Sequence, residues 1–326
     1  MAGVSTATVS RVLNGSARVS AQTQKAVLEA VAQSDYRPNA AAKALATKRT
    51  HTIAAVIPTL EHSIFATFMN ALEDQLALSG YSLVIATHRF DYDTEIRRCN
   101  EVLKLGAEAI IVSGAEHLPE LHQLLRSASV PCLYTSVYAP ESEVVSIGYD
   151  NLRLGKKAIE YLASLGHQNI TVLHAPLHNN DRMRLRVRGV QQAEKGLDEL
   201  NIDYVESPFG IEAGVQLVQR WIDTHKLPDA CLCLADVFAL GVLLEAQRLE
   251  LKVPEQVSLM GFENVDWAEH CSPRLTTIAL PSVEMGKAVA HALVSHLDDG
   301  AALEHTDFDA SIIERQSTQI HPRHQR

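Results

Sequence analysis

Four charged residues lie where a parallel sheet would gather them at one edge. Asp150 follows the short run Val145 to Ile147, Asp236 follows Cys231 to Leu234, and Glu263 follows Ser258 to Gly261. Arg186 lies three residues before Gly189, on the amphipathic stretch after His174. In open parallel sheets, ligands sit outside the carboxyl ends of the strands. Carboxylates and an arginine facing one another across a cleft suit a polyhydroxylated ligand. Each binds two adjacent hydroxyls, while an aromatic face covers the apolar side of the ring. Ile64 and Phe65, soon after Pro58, are the candidates from the other wall. The alternative for each carboxylate is a hinge or strand-end group satisfied by backbone amides and arginine.

A second stretch carries different chemistry: Val4-Ser5-Thr6-Ala7-Thr8-Val9-Ser10-Arg11-Val12-Leu13-Asn14-Gly15. Read as a helix, it starts with Ser5 as N-cap and stops near Asn14-Gly15. Val9, Val12 and Leu13 share one face, and Thr6, Ala7, Ser10 and Arg11 spread over the other. Small hydroxyls, methyls and one arginine suit the major groove, where arginine takes guanine O6 and N7 together. The alternative is an ordinary surface helix.

A second capped helix is expected from Ser20 to about Ser34, striped by Ala26, Val27, Ala30 and Val31, followed by Tyr36-Arg37-Pro38-Asn39. Ala40 to Ala46 then offers a short alanine-rich helix with Leu45 as its large apolar side chain and Lys43, Lys48 and Arg49 around it. Alone it is too short to be stable in water. It reads as a hinge ordered against a partner, or as a plain linker.

Charge separates these two regions. Residues 1–52 hold seven basic against two acidic side chains, a net +5, and the remaining 274 carry 22 against 37, a net -15. A basic head on an acidic body is the footprint of a small domain that meets phosphate and a larger one that stays off it. The five cysteines include no Cys-x-x-Cys pair. Cys231 and Cys233 would point the same way from a strand as reduced core thiols. His174 and His178 near Asp181, and His321 and His324 in the tail, lack metal-ligand spacing, so neither a metal nor a cofactor is expected. No apolar run of membrane-spanning length and no leader pattern occurs, which points to a soluble, cytoplasmic protein. No phosphate-binding glycine motif follows a strand, and no Gly-x-Ser-x-Gly elbow is present.

From Ile53 onward, short apolar runs alternate with amphipathic stretches. Strands are expected at Ile53–Ile57, Leu83–Ala86, Ala109–Val112 and Cys132–Tyr134, with helices at Ile64–Ser79, Thr94–Leu105 and Pro119–Ala128. After Asp150-Asn151 a second set follows. It has helices at Leu152–Leu165, Met183–Leu200, Ala213–Thr224 and Phe238–Leu249, and strands at Ile170–His174, Ala230–Leu234 and Val257–Met260. This alternation predicts α/β units with parallel sheets covered by helices on both faces.

The VSTATVSRVLNG, SDYRPN and AAAKALATKRTHTIAAVIP segments resemble the lactose/galactose repressor (LacI/GalR) family of bacterial transcription regulators, and the similarity runs through nearly the whole chain. The resemblance implies a two-lobed effector domain like the periplasmic binding proteins, behind a small all-α DNA-binding segment. The expected boundaries are a partial helix-turn-helix over 1–38, a hinge helix and linker over 39–52, and an effector-binding and dimerisation domain over 53–326. Its first lobe would take about 53–149 and 279–300, and its second about 150–278 and 301–326. The last helix, Val283–Leu297, would return to the first lobe, and Ser311–Glu314 would form a late strand in the second. The family places one more helix ahead of the AGVS turn. Starting at Met1, the chain matches only the later part, which implies either a truncated start to the helix-turn-helix or a chain that binds DNA weakly.

By the same resemblance the chain is a homodimeric repressor on a pseudo-palindromic operator. DNA contacts would come from Thr6, Ala7, Ser10, Arg11 and Asn14, with Leu45 wedged between base pairs in the minor groove. Asp150, Arg186 and Asp236 would contact the effector. Glu263 stands where the family usually has aspartate, and Ala235 where a polar residue is frequent. The effector class implied is a sugar, sugar acid or polyol, with IPTLEHSIFA resembling gluconate-responsive members. The competing functions are a cytoplasmic solute-binding module and a sugar-processing enzyme; the absence of a recognisable nucleophile–base spacing disfavours the enzyme.

Overall fold

The computed structural model describes residues 2–13, 19–33, 44, 45, 47–197 and 199–321. The chain divides into two compact units, Met1–Thr50 and His51–Arg326. In the first, α1 (Thr6–Leu13) touches α2 (Ala21–Ala32), and Val12 and Val27 are buried. Ser20 caps α2 by accepting from the Thr23 amide. The expected stop at Asn14-Gly15, the Tyr36–Asn39 segment and most of the Ala40–Ala46 helix lie outside the described residues.

The larger unit is built from two six-stranded sheets. The first contains β1 (Thr52–Ile57), β2 (Ser82–Thr87), β3 (Ala109–Ser113), β4 (Cys132–Thr135), β5 (Ser146–Gly148) and β11 (Thr306–Asp307), in the order β11-β5-β4-β3-β1-β2. The second contains β6 (Asn169–His174), β7 (Asn201–Glu206), β8 (Ala230–Cys233), β9 (Ser258–Glu263), β10 (Thr276–Ala279) and β12 (Ser311–Ile313), in the order β12-β10-β9-β8-β6-β7. Every pairing is parallel except β10 with β12. Central strands such as β1 and β3 are unbroken apolar runs because both faces are covered.

Helices α3 (Ser63–Leu78), α4 (Tyr92–Lys104) and α5 (Pro119–Ala128) belong to the first lobe, where α10 (Ser282–Asp299) packs on α3. In the second lobe, α6 (Asn151–Ser164) packs on α7 (Asp181–Glu194), and α8 (Ile211–Thr224) on α9 (Asp236–Arg248).

Two expectations change. The helix expected to run from Met183 to Leu200 spans Asp181–Glu194, and Asn201–Glu206, for which no element was expected, is an edge strand. The final return to the second lobe, expected after Gly300, lies between Asp307 and Ser311, because Thr306 and Asp307 pair with Ile147 and Gly148. The crossing is tied down by Arg153, whose Nη1 and Nη2 donate to Asp307 at 2.8 and 3.0 Å, and by Lys157 Nζ donating to the Ala310 carbonyl at 2.6 Å.

The α6–α7 contact sets where Arg186 stands. A Cβ on Gly155 would lie 2.1 Å from the Arg186 carbonyl oxygen, and one on Gly189 would lie 2.0 Å from the Leu152 carbonyl oxygen. Only glycine at both positions permits this backbone approach. Gly155→Ala should therefore lower stability by about 1–3 kcal/mol through overpacking. An unchanged midpoint in urea unfolding would contradict this account of the contact.

Candidate functional site: a cleft between two lobes

The strongest polar feature of the cleft is a buried guanidinium. Helix α7 begins after Asn180, whose side-chain oxygen accepts from the Met183 amide, and Arg186 lies on its second turn. Arg186 is 6% exposed. Its Nε donates to Asn151 Oδ1 at 2.9 Å and its Nη1 to the Leu234 carbonyl at 2.8 Å. The guanidinium carbon lies 4.1 Å from the centre of the Phe262 ring, a cation–π contact. Asn151 passes the connection on, donating to the Ser136 carbonyl of the first lobe at 2.9 Å. Burial pushes the Arg186 pKa down, opposed by neighbouring Tyr149 and Glu263.

Glu263 closes β9 and brings Oε1 to 3.9 Å from Arg186 Nη1. This is an ion-pair distance and not a hydrogen bond. Burial pushes the carboxyl up to about 8, against the pull of Arg186. Glu263 and Asn264 have φ of 144° and 57°, a strained turn for side-chain-bearing residues. Arg315 Nη2 holds that turn by donating to Asn264 Oδ1 at 2.8 Å.

Around these charges the walls are mostly apolar. The first lobe supplies His62, Ile64, Phe65, Phe68 and Phe90, and the second supplies Arg182, Met183, Arg186, Phe209 and Glu263. Phe209 bridges the two: its ring centroid lies 4.5 Å from His62, 6.1 Å from Phe90 and 5.2 Å from Phe238. Burial pushes the His62 imidazole down, which favours its neutral form against the phenyl ring. The remaining cavity is about 40 Å³. Since each water needs about 10–15 Å³ by this measure, a few waters fit and a sugar ring does not.

The structure thus brings Ile64, Phe65, Arg186 and Glu263 together and leaves two expected residues out. Asp150 caps α6, its Oδ1 accepting from the amides of Leu152 and Arg153 at 2.9 and 3.0 Å. Asp236 is fully buried and clamps the end of β9. It accepts from Phe262 N at 2.8 Å, Val265 N at 3.0 Å and Thr277 Oγ1 at 2.8 Å. Neither lines the cleft, so for both the strand-end use is the one realised. Phe90, Arg182 and Phe209 were not expected; of these, only Arg182 had a sequence signal, in the Asn-Asn-Asp-Arg run that opens α7.

In the small unit, Ala7 and Arg11 are exposed on α1, and Leu45 is 85% exposed. Thr6 and Ser10 lie on the same helix, and Asn14 is outside the described residues. Cys231 and Cys233 are buried and free, with sulfurs 3.7 Å apart. His174 is buried with Nδ1 2.9 Å from the Ala175 carbonyl oxygen. Among the described residues no group of three or more His, Cys, Asp or Glu side chains is arranged to hold a metal ion, and no helix is long and apolar enough to cross a membrane.

Residues 1–39 match the family model described as bacterial regulatory proteins, lacI family, and residues 159–318 match a periplasmic binding protein-like domain. The chain is 30% identical over 329 residues to the HTH-type transcriptional repressor CytR of Escherichia coli K12, covering 98% of this chain and 95% of that one. Its fold is similar to the lac repressor bound to ONPG in the repressed state, with TM-score 0.84, 25% identity and 97% of each chain covered. It is also similar to a transcriptional regulator CelR–cellobiose complex, with TM-score 0.71, 26% identity and 97% of each chain covered.

The Glu263 carboxyl gives a pH signature. Its folded value near 8 stands above the ordinary 4.5, so the folded state keeps a proton that the unfolded chain loses. Stability from this group is therefore present below about 4.5 and is lost as pH rises through about 8. Glu263→Gln cannot ionise, so the variant should gain in Tm relative to the parent between pH 5 and 8. Parallel Tm–pH curves would contradict the assignment.

Proposed function

Because this chain belongs to the lacI family of bacterial regulatory proteins, we propose that it is a DNA-binding transcriptional repressor whose operator affinity is set by a carbohydrate-like effector held between its lobes. The observation that carries the effector reading is the pairing of buried Arg186 with Glu263 at 3.9 Å inside an aromatic-walled cleft that Arg182 also lines. The Arg186 guanidinium beside a Glu263 carboxyl whose ionisation burial disfavours leaves the cleft wall with cationic character, which favours a ligand bearing a carboxylate. Phe65 and Phe90 supply apolar faces for the carbon skeleton. A sugar acid meets both requirements better than a neutral sugar or polyol does.

On DNA, the exposed Ala7 and Arg11 of α1 are the base-reading candidates, together with Thr6, Ser10 and Asn14. Leu45 is the candidate minor-groove wedge. The protein works as a homodimer on a pseudo-palindromic site, in the cytoplasm where such sites lie. Effector binding changes the angle between the lobes and with it the separation of the two DNA-binding heads. Ligand and operator affinities are then linked by a coupling of about 1–3 kcal/mol, or about 5- to 150-fold in occupancy.

A thermal-shift screen of the full chain against sugars, sugar acids and polyols tests the effector. A sugar acid should raise Tm, and Arg186→Met should abolish the shift; stabilisation by no carbohydrate would sink the reading. On the DNA side, selection from a random duplex pool should enrich inverted repeats, and Arg11→Ala should remove the enrichment. Enrichment unaffected by that substitution would contradict the role given to α1.

A further inference from the structure

We infer that Asp181 is a clasp that holds the two lobes closed by gripping the backbone of the first lobe, and that Gly114 is what lets the clasp form. Asp181 opens α7 in the second lobe and is 3% exposed. Its Oδ2 accepts from two first-lobe amides, Ala115 N at 2.7 Å and Glu116 N at 3.3 Å. Its Oδ1 accepts from Arg182 N at 2.8 Å and Arg182 Nη1 at 3.0 Å. Both oxygens are thus engaged in charge-assisted hydrogen bonds, the stronger kind, and one of them spans the lobe boundary.

The receiving loop is shaped for this carboxylate. Gly114 has φ of +96°, and a Cβ there would lie 2.2 Å from Arg182 Nη1 and 2.6 Å from Asp181 Oδ1. Any side chain would occupy the place of the carboxylate and the guanidinium. Beneath the loop, His117 sets Nδ1 2.8 Å from Glu95 Oε2 and Nε2 3.2 Å from the Gly114 oxygen. Glu95 is fully buried, so the loop is anchored to the lobe's interior. An ion pair between Arg184 and Glu116 flanks the clasp at the surface.

The position of the clasp couples it to the cleft. Asn180 and Arg182, on either side of Asp181, both line the cavity. A ligand that engages Arg182 therefore acts on the same helical turn that grips the first lobe. The clasp supplies part of the closing free energy, so a closed-form ligand binds more weakly without it. This consequence rests on the cleft being the effector site; the clasp itself rests on the contacts alone.

Hydrogen exchange on the full chain without ligand reads the clasp directly. In Asp181→Ala, and in the similar-size Asp181→Leu, neither of which can accept a hydrogen bond there, the amides of Ala115 and Glu116 should exchange about tenfold faster or more, as expected for losing hydrogen bonds to a charged group. Gly114→Ala should produce the same loss, and the β3 amides Ile110–Val112 should stay protected in each variant that folds. Unchanged protection at 115 and 116 in a folded Asp181 variant would overturn the proposal. Titration with sugar acids separates the two claims. Faster amides with no ligand binding in the parent protein would leave the clasp standing and remove the effector reading. Ligand binding with unchanged amides would do the reverse.

Discussion

A guanidinium almost wholly removed from water is the constraint around which the second lobe is arranged. Desolvating such a charge costs several kcal/mol unless partners replace its hydration. Arg186 finds them on three elements: the start of α6 through Asn151, the end of β8 through the Leu234 carbonyl, and β9 through the Phe262 ring and Glu263. Each partner must be brought within reach. The glycine crossing of α6 on α7 sets the depth of the arginine, and Asp236 pins the end of β9 from behind. The strained backbone at Glu263 persists because Asp236 and Arg315 hold both sides of it.

The cleft in front of this hub is closed by the protein's own side chains. Phe209 reaches from the second lobe to His62 and Phe90 of the first, and the space left is too small for a sugar. A carbohydrate must therefore displace Phe209 or separate the lobes. Asn180 and Arg182 line the same space, and Asp181 between them is hydrogen-bonded to the first-lobe amides of Ala115 and Glu116, so the cleft wall and a contact between the lobes share one helical turn.

Much of the architecture was legible from pattern alone, because buried parallel strands such as Ile53–Ile57 are continuous apolar runs and their helices are amphipathic. The pattern missed β7, Asn-Ile-Asp-Tyr-Val-Glu, an edge strand too polar to stand out as an apolar run. It also failed at β11, two residues whose strand character comes only from pairing with β5. At the cleft, Glu263 was singled out by its place at a strand end, and Arg186 by its place on the helix after His174 together with the family resemblance. Asp150 and Asp236 occupy equivalent places but are consumed by backbone amides, a difference that depends on the loops facing them. The aromatic bridge was invisible because His62, Phe90, Phe209 and Phe238 come from four separate segments with no common spacing.

In the proposed regulator, ligand in the cleft and DNA at the basic head are thermodynamically linked. The most direct measurement is the dissociation constant of the effector, by calorimetry on the same preparation, with and without saturating operator duplex. Linkage predicts that operator changes the effector constant by the same factor as effector changes the operator constant, within about 5- to 150-fold. Equal effector affinity in the presence and absence of operator would contradict it.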